Sequence, residues 1–262
     1  MVGNVQLSRR LKTIADMVTE GNRLVDVGCD HGYLPVYLIQ EKKIPFAIAM
    51  DVRTGPLSRA QEHIRQFGME NYIKTRLSDG LKELKPGEGD TLVIAGMGGP
   101  LMERILTDGK SVRDSFSELI LQPQSDIPHF RRFIRTQGFE IVEEKMVEED
   151  GKFYPMMRVI PEGKAPNAKA PKDNPYQGTS QGAQQLLERE ASPYTLEEAF
   201  GAYLLKEKDP VLYRYLLREA RIRANILKQL EGAAQAEAVE ARILEVKEEA
   251  QLIAAALAEY EG

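Results

Sequence analysis

The sequence predicts an α/β fold built on a mostly parallel sheet, followed by a helical C-terminal part. Continuous apolar runs, such as residues 24–27 and 46–50, are typical of strands buried on both faces of a parallel sheet. Each run is followed by a turn and a segment of helical periodicity, which is the alternation of βαβ units. From Thr195 onward, apolar residues recur only at helical spacing. We therefore expect two structural parts of different class.

Length, charge and cysteine content limit the classes of protein that fit. The 262 residues suffice for one domain of usual size and a smaller unit. A net charge of -5 argues against nonspecific coating of nucleic acid, so any RNA contact must use local basic patches. With Cys29 as the only cysteine, neither an internal disulfide nor a metal site is expected. No apolar run approaches the roughly 18 residues of a membrane span, so we expect a cytoplasmic protein without membrane contact.

A glycine turn joins the first predicted strand to the helix that follows. It places glycines at Gly28 and Gly32 and carboxylates at Asp26 and Asp30. Such glycines let the backbone approach a nucleotide-like ligand, but the spacing matches neither the GxGxxG fingerprint nor a P-loop. Two carboxylates would repel a pyrophosphate, whereas they suit the ammonium and sulfonium groups of S-adenosylmethionine. The alternative is an ordinary connection with polar turn residues.

Polar or glycine residues also follow the next three predicted strands. Asp51 ends the second strand roughly twenty residues beyond the loop, where a carboxylate can hold both hydroxyls of a ribose. Asp79 follows the third strand, where it can accept a hydrogen bond from the adenine amino group, although an Asx turn is the alternative. The fourth strand runs into Gly96, Met97 and Gly98, a glycine-rich turn typical of close approach by a ligand.

The remaining segments complete the predicted α/β part and the elements around it. Residues 7–20 form a leading helix, and a helix with Ser125 or Asp126 as its cap follows the fifth strand. Asp150 and Gly151 indicate a hairpin turn, which predicts an antiparallel pair at one sheet edge. The expected organisation is a domain over residues 1–160, a linker or mobile loop over 161–193, and a helical hairpin or coiled coil over 194–262.

Six motifs, in this order, resemble the TrmK family of class I S-adenosylmethionine-dependent methyltransferases. They are DVGCDHGYLP at 26–35, AMDVRTGPL at 49–57, SDGL at 78–81, AGMGG at 95–99, LQPQ at 121–124 and GKFYPMM at 151–157. That family methylates N1 of adenine 22 in bacterial tRNA, and its members carry a C-terminal coiled-coil domain. The resemblance implies a Rossmann-like methyltransferase fold, S-adenosylmethionine as cofactor and tRNA as partner. AGMGG also lacks the paired prolines of N6 adenine methylases, which argues against N6 chemistry.

The resemblance also implies roles for individual residues. Residues of the glycine loop shape the methionine pocket, the second strand end holds the ribose, the third flanks adenine and the fourth borders the methyl group. The cofactor-binding residues implied in this way are Asp26, Gly28, Cys29, Asp30, Gly32, Asp51, Val52, Asp79, Gly80, Gly96, Met97 and Gly98.

Methylation of adenine N1 needs alignment more than proton removal, because N1 already carries an in-plane lone pair. The methylated base is positive, and Asp30 and His31 are the catalytic candidates that stabilise it or take an N6 proton. Alternatively, Asp30 touches only cofactor and His31 packs or caps the turn. The target base must also be extruded, which aromatic and basic side chains assist. The expected RNA-binding residues, each with a core or solvated-face alternative, are Tyr33, Tyr154, Arg9, Arg10, Arg131, Arg132 and Arg135.

Two other functions remain compatible with the residues alone. One is a methyltransferase for a small molecule or protein, with the C-terminal helices serving dimerisation. The other is a non-catalytic S-adenosylmethionine-binding adaptor whose coiled coil recruits a partner. An NAD-dependent dehydrogenase is disfavoured, because the third fingerprint glycine is missing. The chain is expected to be a monomer or a homodimer formed through its C-terminal helices.

Overall fold

The computed structural model describes residues 3–163, 175–176, 194–232 and 237–261. The chain forms two compact units, Met1–Lys172 and Asp173–Gly262, and each is described by itself. The predicted linker over 161–193 lies largely outside the described residues.

A seven-stranded sheet forms the centre of the first unit. Its strands are β1 (Leu24–Val27), β2 (Ala47–Asp51), β3 (Ile73–Leu77), β4 (Thr91–Met97), β5 (Glu118–Pro123), β6 (Phe139–Glu149) and β7 (Lys152–Pro161). Their spatial order is β3-β2-β1-β4-β5-β7-β6. The first five strands pair in parallel, while β7 pairs antiparallel with both β5 and β6. The predicted parallel sheet with an antiparallel edge hairpin is therefore confirmed.

Six helices accompany the strands in the described part of this unit. They are α1 (Arg9–Met17), α2 (Tyr33–Gln40), α3 (Thr54–Gln66), α4 (Gly99–Asp108), α5 (Lys110–Arg113) and α6 (Ile127–Thr136). The strand order reverses where β1 pairs with β2 on one side and β4 on the other. In parallel α/β sheets, ligands bind in the crevice outside the carboxyl ends of the strands at this reversal. The sheet thus brings the polar strand ends after β1, β2, β3 and β4 to one edge.

Burial explains why the strands read as unbroken apolar runs. Every residue of β1 and β2 is buried, because helices cover both faces of the sheet. Asp26 and Asp51 are the charged residues of these two apolar strands, and both carboxylates are buried. Buried carboxylates are costly unless a partner or ligand compensates them, so their positions already indicate a site at this edge.

Helix α1 is shorter than the predicted 7–20 and is held beside the edge hairpin. The Ser8 hydroxyl caps its first turn by accepting a hydrogen bond from Leu11 N, and the backbone becomes extended at Val18. Arg9 Nη1 donates to Glu148 O at 3.3 Å. Because Glu148 adjoins the hairpin turn, α1 reaches the carboxyl edge of the sheet.

Helix α6 begins at the same edge and runs away from it. Its N-cap residue, Asp126, has a left-handed backbone (φ 51°) and makes no side-chain capping hydrogen bond, contrary to the expectation for that residue. The helix leads into β6, whose first residue, Phe139, pairs with Pro161 at the opposite edge. Residues late in α6 therefore lie progressively farther from the carboxyl edge.

The second unit consists of helices in its described part. They are α7 (Leu196–Phe200), α8 (Ala202–Lys206), α9 (Pro210–Glu231) and α10 (Glu237–Glu261). Tyr260 Oη donates to Asp209 O at 3.0 Å, and Arg223 Nε donates to Glu249 Oε2 at 2.7 Å. The first contact joins the start of α9 to the end of α10, and the second joins their middle parts, so the long helices are antiparallel as predicted. Their coiled-coil packing stays a prediction. Within the described residues, no helix is long and apolar enough to cross a membrane.

Candidate active site

Two cavities meet at the carboxyl edge of the sheet, and Gly28, Asp30 and Ala95 line both. The larger has a volume of about 410 Å³ and is lined also by Val27, Asp51, Val52, Arg53, Ser78, Asp79, Gly80, Gly96, Met97, Leu101, Arg104 and Ile105. The smaller, of about 90 Å³, is lined also by Arg10, Leu11, Asp26, Cys29, His31, Tyr33 and Leu34. The larger volume is in the range of small-molecule and cofactor sites.

The loop after β1 is anchored to β2 and has a left-handed backbone at Gly28. Gly28 N and Cys29 N both donate to Met50 O, at 2.8 and 2.9 Å. Gly28 has φ +80°, and a Cβ there would lie 2.3 Å from Met97 Cε. The positive φ favours glycine here, whereas the end of the flexible Met97 side chain could move aside, so bare backbone lies between the two cavities.

Asp51 offers an acceptor to the larger cavity. Its side chain is buried, and its Oδ1 accepts from Arg53 N at 2.9 Å. Within the described part of the chain, Oδ2 accepts no hydrogen bond. A buried carboxylate oxygen beside an open cavity is suited to hydroxyl donors of a ligand.

Asp26 lines the smaller cavity, and the pKa of its carboxyl is raised. Burial, and then the charge of Asp51, raise the pKa of Asp26 to about 7, although the charge of Arg10 opposes this shift. Among the described residues, no group donates a hydrogen bond to the Asp26 carboxyl. A cation bound in this cavity would favour the ionised carboxylate.

Arg10 is held at the smaller cavity rather than on the outer surface. Its Nη1 donates to Gln122 Oε1 at 2.9 Å, and its guanidinium lies 5.5 Å from the centroid of the Tyr154 ring. Arg10 is therefore half-buried beside the smaller cavity, and its predicted phosphate contact stays a prediction. Tyr154, the predicted stacking residue, is half-buried and supports Arg10.

Asp79 and Gly80 lie at the wall of the larger cavity. Lys82 Nζ donates to Asp79 Oδ2 at 2.6 Å, and Arg104 Nη2 lies 3.4 Å from Oδ1. The hydrogen bond from Lys82 is the main reason why the pKa of Asp79 is lowered from its usual value. Asp79 is therefore an ionised acceptor, as an amino group of a bound base requires.

Four other predicted cofactor residues line one of the two cavities. Val52, Gly96 and Met97 line the larger cavity, and Cys29 lines the smaller. Burial raises the pKa of the Cys29 thiol, which keeps it protonated.

Gly32 and Gly98 line neither cavity. A Cβ at Gly32 would lie 3.3 Å from Ala60 Cβ, and one at Gly98 would lie 3.0 Å from Ser125 Oγ. Gly32 thus permits close packing of the loop against α3, and Gly98 permits close packing against Ser125. Contact of these two glycines with cofactor stays a prediction.

The two catalytic candidates lie at the mouth of the site. Asp30 has a left-handed backbone (φ 46°), and its carboxylate is 64% exposed. Its Oδ1 is 3.5 Å from Arg59 Nη2 and 3.7 Å from His31 Nε2. Both candidates are therefore partly exposed and line the smaller cavity, and their catalytic role stays a prediction. Among the described residues, no cluster of three or more His, Cys, Asp or Glu side chains could hold a metal ion.

Comparisons with known proteins decide which chemistry this site serves. A family model described as a methyltransferase domain matches residues 7–157. The tRNA (adenine(22)-N(1))-methyltransferase of Bacillus subtilis is 31% identical, over 96% of this chain and 97% of that protein. The crystal structure of the B. subtilis m1A22 tRNA methyltransferase TrmK is 30% identical, with a TM-score of 0.77 over 97% of this chain and 100% of that one.

The chain belongs to the TrmK family. A solved structure of Sp1610 from Streptococcus pneumoniae, in complex with S-adenosyl-L-methionine, is also similar. It is 30% identical, with a TM-score of 0.75 over 96% of this chain and 100% of that one. The predicted methyltransferase fold, enzyme class and cofactor are thereby confirmed.

The residues of this TrmK-family chain fit S-adenosylmethionine. The cradle at Gly28, which a Cβ would fill, suits the middle of the molecule. Unengaged carboxyl oxygens of Asp51 and Asp26 on either side suit the ribose hydroxyls and the ammonium group. Together these features accept a ligand that is neutral at its nucleoside end and positive at its centre.

One helix face of the larger cavity was missed by the sequence analysis. Leu101, Arg104 and Ile105 of α4 line the cavity. Their spacing of i, i+3 and i+4 puts them on one side of a helix, and they follow the glycine turn directly. This periodicity was the available signal, since a helix that starts at a ligand-binding turn presents one face to the ligand.

The arginines proposed as RNA contacts have different surroundings. Arg131 is 1% exposed, and its Nε donates to Glu144 Oε1 at 2.8 Å. The phosphate contact predicted for Arg131 is therefore wrong, because the side chain is in the core. Arg132 and Arg135 are half-buried farther along α6, whereas Arg9 is exposed near the site. For these three, RNA contact stays a prediction.

Proposed function

We propose residue roles for the reaction of this TrmK-family enzyme, which transfers a methyl group from S-adenosylmethionine to N1 of adenine 22 in bacterial tRNA. The observation that supports these roles is the pair of cavities meeting at the bare backbone of Gly28. The larger cavity has acceptors for a nucleoside, and the smaller has opposite charges for an amino acid.

The larger cavity is assigned to the adenosine part. Asp51 accepts from the ribose hydroxyls through its unengaged oxygen, and Asp79 with Gly80 borders the adenine. Val52, Leu101 and Ile105 supply apolar surface for the base. Loss of hydrogen bonds to a charged group costs about 1.5–3 kcal/mol, so Asp51 is the strongest single anchor in this assignment.

The smaller cavity is assigned to the amino-acid end. The Asp26 carboxylate receives the ammonium group, and the Arg10 guanidinium pairs with the carboxylate. Gln122 and Tyr154 fix the position of Arg10 in advance, which reduces the entropy lost on binding.

The Arg10→Met variant is expected to bind S-adenosylmethionine about 10–100-fold more weakly, since a charged hydrogen bond is lost. Binding of 5′-methylthioadenosine, which has no amino-acid end, should change less than about twofold. Isothermal titration calorimetry with both ligands measures this contrast, with Arg9→Met as the matched control. An equal loss for both ligands would place the amino-acid end elsewhere.

The protein contributes mainly alignment and charge to the reaction. Bound S-adenosylmethionine supplies an electrophilic methyl group. The protein must hold adenine N1 in line with that group and exclude water, while the lone pair of N1 remains unprotonated. Methylation makes the base cationic, and the Asp30 carboxylate, with His31 beside it, stabilises that charge or accepts a proton from N6.

Recognition of tRNA requires extrusion of the target base and contacts to phosphates. Tyr33 is proposed as the stacking group. Tyr154 is proposed to assist it indirectly, because the Tyr154 ring packs against Arg10, which lines the same cavity as Tyr33. Arg9, Arg132 and Arg135 are proposed as phosphate contacts, and binding should weaken with salt. We also propose a cytoplasmic location, where tRNA is modified.

The oligomeric state is proposed as a monomer or a homodimer through the C-terminal helices. Leu217 and Leu244, on α9 and α10, are exposed apolar residues that a second copy would cover. Sedimentation velocity across protein concentrations distinguishes these two states.

The deciding experiment for function is transfer of tritiated methyl groups to unmodified bacterial tRNA, followed by nucleoside analysis. Label should appear as 1-methyladenosine, and a transcript with guanine at position 22 should receive none. Asp51→Ala should lower kcat/KM by about 10–100-fold through cofactor affinity, while Asp108→Ala, an exposed change on α4, should have no effect.

Other results would redirect the assignment. Cofactor binding without any RNA label would favour a small-molecule or protein substrate, or the non-catalytic adaptor. Full activity of Asp51→Ala would contradict the adenosine assignment of the larger cavity.

A further inference from the structure

Three aromatic rings form a cluster at the mouth of the site, which we call the ring cluster: His31, Tyr33 and His63. The His31 and Tyr33 ring centroids are 5.5 Å apart and nearly parallel, at 23°. The His63 centroid lies 4.8 Å from Tyr33 and 5.5 Å from His31. Tyr33 is 38% exposed, so part of the cluster faces solvent beside the smaller cavity.

His63 is the only member of the ring cluster that lines neither cavity. It lies on α3, and its Nδ1 is 3.0 Å from the backbone oxygen of His31. Because a carbonyl only accepts, Nδ1 must carry the proton in this hydrogen bond. His63 therefore ties the glycine loop to α3 directly beside Asp30, whose backbone is left-handed.

The packing around this hydrogen bond leaves the loop little freedom. A Cβ on Gly32 would come within 3.3 Å of Ala60 Cβ, so α3 already lies close against the loop. Arg59, also on α3, is 3.5 Å from Asp30 Oδ1. Helix α3 thus contacts the mouth of the site through a ring, a methyl group and a cation.

We propose that the ring cluster is the stacking surface for the extruded adenine, and that His63 is a positioning residue that holds His31 and Tyr33 in place. The inference rests on the proposed function. Stacking of a base on an aromatic side chain contributes about 1–3 kcal/mol, and the contribution requires that the ring be held in orientation. The hydrogen bond from His63 supplies that orientation without touching substrate or cofactor.

Three substitutions at this position separate the hydrogen bond from the ring. His63→Ala removes both, His63→Asn keeps a donor near the position of Nδ1, and His63→Phe keeps a ring without a donor. His129→Ala, on α6, is the matched control histidine. The readouts are kcat and KM for tRNA, the Kd of S-adenosylmethionine, and the fluorescence of tRNA carrying 2-aminopurine at position 22.

His63→Ala should raise KM for tRNA about 5–10-fold, the effect of one lost hydrogen bond, with the cofactor Kd within about twofold of wild type. Bound 2-aminopurine should be brighter than in wild type, because it stacks less well. His63→Asn should recover most of the KM, and His63→Phe should recover little.

An unchanged KM and fluorescence in His63→Ala would overturn the proposal, as would an equal loss of cofactor and tRNA affinity. Recovery by His63→Phe alone would reject the hydrogen bond as the positioning contact. Failure of wild type to methylate tRNA would instead contradict the proposed function, so the two failures are distinguishable.

Discussion

The Arg131→Met variant is expected to lose about 3–5 kcal/mol of unfolding free energy, the usual cost of removing one partner of a buried ion pair. Arg131 is 1% exposed and Glu144 is fully buried, with 2.8 Å between Nε and Oε1. Methionine fills a similar volume but leaves the Glu144 charge without the guanidinium. Desolvation then disfavours the ionised carboxylate in the folded chain.

A double variant tests whether the loss comes from the remaining charge. Arg131→Met with Glu144→Leu should recover most of the stability, because an apolar pair of similar volume replaces the ions. Urea unfolding followed by circular dichroism measures the four members of this cycle. Arg9→Met, at an exposed position, should change stability by less than about 0.5 kcal/mol.

The same variants also test the corrected role of Arg131. The salt dependence of tRNA binding should be unchanged in the double variant, since a core arginine neutralises no phosphate. A reduced salt slope without loss of stability would restore the phosphate contact and contradict the burial of Arg131.

The Asp26→Asn variant is expected to remove a pH dependence of both stability and cofactor binding. The pKa of Asp26 in the folded chain is about 7, above the ordinary value of 3.8. Between these values the folded chain binds more protons than the unfolded chain, so stability falls as pH rises through this interval. The full effect is at most about 4 kcal/mol by pH 8, at 1.36 kcal/mol per pH unit.

Cofactor binding should respond in the opposite direction. The proposed ammonium contact requires the ionised carboxylate, so the Kd of S-adenosylmethionine should decrease as pH rises towards 7. The limiting change is about tenfold per pH unit, because one proton leaves on binding. Calorimetry from pH 5.5 to 8 measures this slope.

Asp26→Asn isolates the contribution of this carboxyl. Any pH dependence of binding that the variant shares with wild type arises from ionisation of the cofactor itself. Asp108→Asn controls for the change in net charge. Parallel slopes in wild type and Asp26→Asn would mean that the ammonium group does not bind beside Asp26.

The strand ends could be predicted from sequence because their meeting is a property of parallel sheets. Asp26 lies one residue before the end of β1, Asp51 ends β2 and Asp79 follows β3, and the carboxyl ends of parallel strands share one edge. Local pattern and topology together therefore place them at one site. The glycine at position 28 was predictable for the same reason.

Side chains whose environment depends on distant partners were not predictable. Arg131 reads as one of three helix arginines, but its burial depends on Glu144 from a neighbouring strand. Arg10 reads as a surface cation, but Gln122 and Tyr154, more than one hundred residues away, turn it inward. His63 gave no signal, since its role arises only where α3 meets the loop.

The division of the site at Gly28 bears on how turnover ends. In the proposed arrangement, the larger cavity contacts the ribose and the adenine, and the smaller contacts the amino-acid end. All three parts are unchanged when the methyl group leaves. Only one methyl group and one positive charge, near the junction, distinguish the molecule that enters from the one that departs. The spent cofactor therefore keeps nearly all of its contacts. It occupies the site in competition with fresh S-adenosylmethionine, so its release must precede the next round of methylation.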